Sequence, residues 1–126
     1  MDRLQGKTVL LVEDEPIVAM LVEDMLAGLG VGIIGPAARL EEAISMAQNE
    51  NFDAAVLDVK LGGQNSVAVA TVLQQRAIPY ILATGFDSLT SPDYGRDVPV
   101  LNKPYLQDDL ERALEQALSG INQLTK

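Results

Sequence analysis

The chain has 126 residues, enough for one domain with its own core and too few for two. Hydrophobic residues make up 48% and charged residues 21%, an ordinary globular balance, and no apolar stretch approaches the ~18 residues needed to cross a bilayer. With 18 acidic against 9 basic residues, no cysteine and no histidine, the composition argues against direct binding to nucleic acid or anionic membrane and removes thiol, triad and zinc chemistry. A hard, oxygen-liganded cation such as Mg²⁺ is the natural metal for what remains. Met1 to Gly6 lacks the apolar core of a signal peptide, so a cytoplasmic protein is expected.

Lys7-Thr8-Val9-Leu10-Leu11-Val12 reads as a strand covered on both faces. It ends in Glu13-Asp14-Glu15-Pro16, three carboxylates and a proline suited to a helix's first turn. Val18, Leu21, Val22, Met25, Leu26 and Leu29 then recur at helical spacing, with Gly30 as the stop. Val31 to Gly35 is a thin second strand, and Arg39 to Asn49 a second helix with Leu40, Ala43, Ile44 and Ala47 on one face. The third strand, Ala54 to Leu57, runs straight into Asp58, and the turn Gly62-Gly63 follows. A carboxylate at the end of a buried strand is costly unless something nearby uses or neutralises it.

Ser66 is the expected cap of a third helix running to about Arg76. Pro79 to Ala83 reads as a fourth strand, Val98 to Leu101 as a short fifth, and Leu106 to Leu118 as a final helix ended by Gly120. Between Thr84 and Val98 the segment Gly85–Asp97 holds two glycines, a proline and only Phe86, Leu89 and Tyr94 as large apolar side chains. A fourth helix there is expected to be short or irregular, because Pro92 disfavours helix at Ser91. Strands and helices otherwise alternate, so residues 1–126 are expected to form one α/β domain around a five-stranded parallel, doubly wound sheet.

Gly30-Val31-Gly32-Ile33-Ile34-Gly35 matches the G-x-G-x-x-G dinucleotide fingerprint. That chemistry needs the glycines to follow a strand and open a helix, whereas here they follow a helix and run through a strand. The informative polar residues lie elsewhere: Glu13-Asp14 after strand one, Asp58 after strand three, Thr84 after strand four and Lys103 after strand five. In a parallel doubly wound sheet these ends share one edge, where such folds bind ligands. Carboxylates there repel each other by ~4 kcal/mol per pair at ~4 Å and an effective dielectric near 20, which a divalent cation relieves.

Glu13-Asp14, Asp58, Thr84 and Lys103-Pro104, in this order and spacing, resemble the receiver domain of two-component response regulators over essentially the full chain. Leu82-Ala83-Thr84-Gly85-Phe86 further resembles the F-A-T-G subgroup, many of whose members are stand-alone receivers. The resemblance implies a flavodoxin-like strand order of 2-1-3-4-5. It implies that Asp58 accepts a phosphoryl group and that Asp14, Asp58 and the Lys60 backbone carbonyl hold Mg²⁺, with Glu13 acting through water. Lys103 and Thr84 would meet the phosphoryl oxygens, and Lys103-Pro104 would be cis. The implied partners are a sensor histidine kinase or histidine phosphotransfer protein and a downstream protein target, with no nucleic acid or membrane. Ile17 and Met20, near the active edge and beside Tyr105, are the candidate kinase-docking residues. Lys60 and Phe86 stand where the family tunes access of hydrolytic water. Val100 stands where the family usually carries an aromatic switch residue, so ordering of Gly85–Asp97 is the expected response to phosphate.

The rival class is a Mg²⁺-dependent aspartyl-phosphate hydrolase or phosphotransferase. Against it, Lys60 occupies the place of the second aspartate of dehalogenase-type enzymes, and no cap insertion offers a substrate pocket. A flavin-binding domain is disfavoured by an aromatic content of 4% and by an acidic edge that repels phosphate.

Overall fold

The computed structural model describes residues 3–85 and 92–124, with side chains through residue 120. Its main sheet comprises β1 (Thr8–Val12), β2 (Gly32–Ala37), β3 (Ala54–Asp58), β6 (Tyr80–Thr84) and β7 (Val100–Asn102). The spatial order is β2-β1-β3-β6-β7 and every pairing is parallel. This is the expected 2-1-3-4-5 order. A separate antiparallel hairpin pairs β4 (Lys60–Leu61) with β5 (Gln64–Asn65) between β3 and α3.

Side chains alternate along each strand, so the sheet serves two cores. Val9, Leu11, Val56, Ile81 and Ala83 pack with α1 (Pro16–Gly28) and α4 (Gln107–Leu124), through Val22, Leu26, Leu110 and Leu114. Leu10, Val12, Leu57 and Leu82 pack on the other face with α2 (Leu40–Asn49) and α3 (Val67–Gln75), through Ala43, Ala47, Val69 and Leu73. All five residues of β3 and all five of β6 are buried, as central parallel strands require.

Two expectations, the Ser66 cap and the Gly120 stop, need correcting. Ser66 stands at the start of α3 but its side chain makes no cap bond; the Val67 N–H donates instead to Asn65 Oδ1 at 3.1 Å. Gly120 does not end the last helix. It is absent from the positive-φ glycines, and α4 continues to Leu124. Tyr105, named beside Ile17 and Met20, is 9% exposed and belongs to the α1/α4 core, and its chain neighbour Leu106, 72% exposed, faces water. Of the segment Gly85–Asp97, the described part holds a single 3-10 turn, Pro92–Tyr94. Phe86 and Leu89 lie outside the described residues. The glycine-rich run behaves structurally: Gly30 (φ +76) leaves α1, and Gly35 (φ +102) sits in β2, where a Cβ would lie 2.7 Å from the Leu11 carbonyl oxygen. Lys103-Pro104 is cis, and so is Gly35-Pro36.

Candidate functional site

Because the strands are parallel, their C-terminal ends share one edge of the sheet. Glu13 follows β1 directly and its N–H donates to Ala37 O at 3.0 Å, extending the ladder with β2 by one bond. Asp58 is the last residue of β3, in register with Ala83 of β6. Thr84 ends β6, and the Lys103 N–H donates to its carbonyl at 2.8 Å, which aligns the end of β7 beside it. The backbone ladder thus fixes where each of these side chains starts.

Glu13, Asp58 and Thr84 are almost fully buried, at 4, 5 and 4% exposure. Lys103 Nζ lies 2.8 Å from Glu13 Oε1 and 2.8 Å from Asp58 Oδ2, so one ammonium bridges two carboxylates. Glu13 Oε2 accepts from the Glu15 N–H at 3.1 Å, and Asp58 Oδ1 accepts a weaker bond from the Lys60 N–H at 3.2 Å. Asp14 Oδ2 accepts from the Gly62 N–H at 2.9 Å. The Thr84 hydroxyl donates to Gly85 O at 3.2 Å.

The electrostatics are those of too many anions in too little water. Burial pushes the Glu13 carboxyl up to about 7, against the hydrogen bond from Lys103, and the Asp58 charge adds to the rise. Burial by itself would lower the Lys103 ammonium, but its hydrogen bonds to Asp58 and Glu13 outweigh that and hold it above its ordinary value. Tyr105 is pushed up to about 12, mainly by burial and then by the Glu13 charge.

Oxygen atoms of Glu13, Asp14 and Asp58 lie within 4.8 Å of one another. One ammonium among three carboxylates leaves the cluster short of positive charge, and an all-oxygen donor set suits a hard divalent cation. The donor chemistry therefore fits Mg²⁺.

Every sequence-predicted site residue reaches this edge: Glu13, Asp14, Asp58, Thr84 and Lys103 converge, and Lys60 lies at its rim with an exposed side chain. Missing from the sequence reading is the Gly62 N–H as a partner of Asp14. Gly62 (φ +58) and Gly63 (φ +83) form the two-residue turn between β4 and β5. A Gly-Gly pair between short flanking segments is a hairpin signal, and it was present to be read.

A concavity of about 680 Å³ lies at the opposite end of the sheet, lined among others by Arg3, Lys7, Asp53 and Glu115, so the converged charges and the large hollow do not coincide. Among the described residues, no helix is long and apolar enough to cross a membrane.

Comparison with known proteins gives one answer. The family model for the response regulator receiver domain matches residues 9–115. The transcriptional regulatory protein PdtaR of Mycobacterium tuberculosis is 29% identical across 98% of this chain, and the chain spans 62% of PdtaR's length. The solution structure of SdrG from Sphingomonas melonis Fr1 superposes with a TM-score of 0.79 at 41% identity, covering 89% of this chain and 96% of that one. The receiver domain of the sensor histidine kinase PA1611 from Pseudomonas aeruginosa PAO1 superposes with a TM-score of 0.77 at 25% identity, covering 90% of this chain and 98% of that one. That structure has a magnesium ion coordinated in its active site cleft.

Proposed function

The chain belongs to the response regulator receiver domain family, and we propose that it is the phosphoacceptor of a two-component phosphorelay, with Asp58 as the residue that takes the phosphoryl group. The observation that carries this reading is the single Lys103 ammonium bridging buried Asp58 and Glu13, with Asp14 alongside, at the C-terminal edge of the sheet.

Asp14, Asp58 and the Lys60 backbone carbonyl would hold Mg²⁺, with Glu13 acting through water. When bound, the cation supplies charge neutralisation to the carboxylates and to the phosphoryl oxygens. The chain's own groups do the rest. A carboxylate oxygen of Asp58 attacks the phosphorus, and the bond from phosphorus to the donor imidazole nitrogen breaks, its electron pair leaving with the imidazole. Lys103, already 2.8 Å from Asp58, provides a fixed positive charge for the transferred group, and the Thr84 hydroxyl a hydrogen-bond donor. The added charge of roughly -1.5 to -2 then competes with Glu13 for Lys103 and draws Thr84 toward it. That biases the β6–β7 connection, the element read by a downstream protein partner.

The donor is a phosphohistidine on a sensor histidine kinase or a histidine phosphotransfer protein. Ile17, Met20 and Leu21 of α1, exposed at 76, 64 and 55%, offer it an apolar face.

The test is intact-mass measurement after incubation with acetyl phosphate and Mg²⁺. One added phosphate is expected on the wild type and none on Asp58→Asn; steady hydrolysis of a phosphoester without an adduct would instead indicate an enzyme. Hydrogen exchange with and without beryllofluoride tests the output: protection across residues 92–97 is expected to rise, and unchanged protection there removes the β6–β7 connection from the switch.

A further inference from the structure

Tyr94 is the last residue of the Pro92–Tyr94 turn and is 2% exposed, although the segment around it has little apolar content. Its hydroxyl does not merely find a partner at the surface of the core. It lies 3.1 Å from Val59 O, to which it can donate, and 3.0 Å from Ser66 Oγ, and it accepts from the Ser66 N–H at 3.1 Å. Ser66 is 0% exposed, and its hydroxyl donates to the backbone carbonyl of Asp58 at 2.5 Å. The Asp58 carbonyl thus ends on the Ser66 hydroxyl, while Val59 O accepts from the Ser66 N–H at 3.0 Å and lies within reach of both hydroxyls, so the two carbonyls that follow the acceptor side chain both end on Ser66 and Tyr94.

The far side of Tyr94 is held equally well. The Tyr80 hydroxyl donates to the Tyr94 carbonyl, and Gln74 Nε2 donates to the Tyr80 hydroxyl at 2.8 Å and to Asp93 O at 3.3 Å. The turn in the β6–β7 connection is thereby clamped to α3 and β6 at its carbonyls, and to the main chain of Asp58 through its phenol. Neither Thr84 nor β7 is needed for this link. Val100, 43% exposed, offers no polar atom from its side chain at all.

We infer that Ser66 and Tyr94 are positioning residues for the phosphoacceptor: their hydroxyl pair fixes the Asp58–Val59 main chain, and so makes the Pro92–Tyr94 turn part of the acceptor site. The inference rests on Asp58 being the phosphoacceptor. Its physical basis is that a buried carbonyl that loses one of its donors shifts toward those that remain, and Asp58 has little room to move without losing the 2.8 Å contact to Lys103. Phosphate transfer needs attack in line, so a small rotation of the carboxylate lowers the rate rather than the affinity for the donor.

The experiment measures the rate of acetyl phosphate labelling of the full chain, with Mg²⁺, as a function of acetyl phosphate concentration. The proteins are wild type, Tyr94→Phe, Ser66→Ala and the double variant. Each single variant is expected to lower the maximal rate by about tenfold, the size of one lost buried hydrogen bond, with the half-saturating concentration unchanged. The double variant is expected to be no slower than the slower single one, because both changes cut the same link. A purely packing role would act by lowering the folded fraction, and trimethylamine N-oxide would then restore the rate. Restoration by the osmolyte, wild-type rates in Tyr94→Phe, or effects that multiply in the double variant would each overturn the inference. If Ser66→Ala does not fold, Tyr94→Phe alone decides. Wild type labelled with all variants labelled equally rejects this inference only; wild type never labelled rejects the phosphoacceptor reading as well.

Discussion

The two ends of the sheet carry charge in opposite ways. At the C-terminal end, Glu13 and Asp58 are almost fully buried and share one ammonium, so a single cation serves two carboxylates held out of water. At the N-terminal end, around the hollow of about 680 Å³, Arg3 and Asp53 are exposed, and Asp53 uses its carboxylate to accept the Thr8 N–H at 2.8 Å where β1 begins. There the charges are solvated and serve the backbone. What distinguishes a site in this fold is charge held out of water by convergence; the size of the hollow is a poor guide.

The contrast can be broken most forcefully at Lys103. Lys103→Ala leaves two buried carboxylates without their ammonium, and a loss of about 3 kcal/mol in unfolding free energy is expected in chelator, read from urea melts. Added Mg²⁺ is expected to restore much of it, since a cation can replace the missing charge; no recovery would mean that the carboxylates do not share a cation.

The alkaline arm compares the two ends through their tyrosines. Tyr105, beside the charged edge, is pushed up from 10 to about 12 by burial, and Tyr80, opening β6 at the other end, is also raised by burial. Below pH 10 the folded and unfolded states both keep these protons. Above it the unfolded state loses them first, so stability falls as pH rises, by about 2 kcal/mol from Tyr105 as pH reaches 12. Tyr105→Phe should flatten the urea midpoint between pH 10 and 12; an unchanged slope would remove Tyr105 as its source.

The smallest effect belongs to the solvated end. Asp53→Ala is expected to cost about 1 kcal/mol, the worth of one exposed backbone hydrogen bond, with phosphate labelling of Asp58 left at the wild-type rate. A labelling defect in this variant would mean that the two ends are coupled, and the contrast drawn between them would fail.

Most of the architecture was legible because apolar runs such as Val9 to Val12 and Ala54 to Leu57 announce buried parallel strands, and the polar residues that end them mark the edge. Local pattern failed where the partner is remote. Ser66 has the residue type of a helix cap, but its hydroxyl is claimed by a carbonyl eight residues back in β3 and by a tyrosine 28 residues ahead. Nothing within one turn of Ser66 could reveal that. Tyr105 was legible only as a neighbour of the active edge, and its place in the α1/α4 core depends on packing that no local pattern carries. Gly120 looked like a stop, but a glycine ends a helix only where the backbone takes positive φ, and here it does not.

The hairpin at Gly62 gives the molecule a readable signal of its own. Its amide proton rests on Asp14, a carboxylate in the proposed cation cluster, while the turn around it faces solvent. Any ion that draws electron density from Asp14 will deshield that proton less than Asp14 does alone. The Gly62 amide resonance, unmodified and unlabelled except for nitrogen, is thus expected to titrate with cation occupancy, with no chromophore added to a chain that lacks tryptophan.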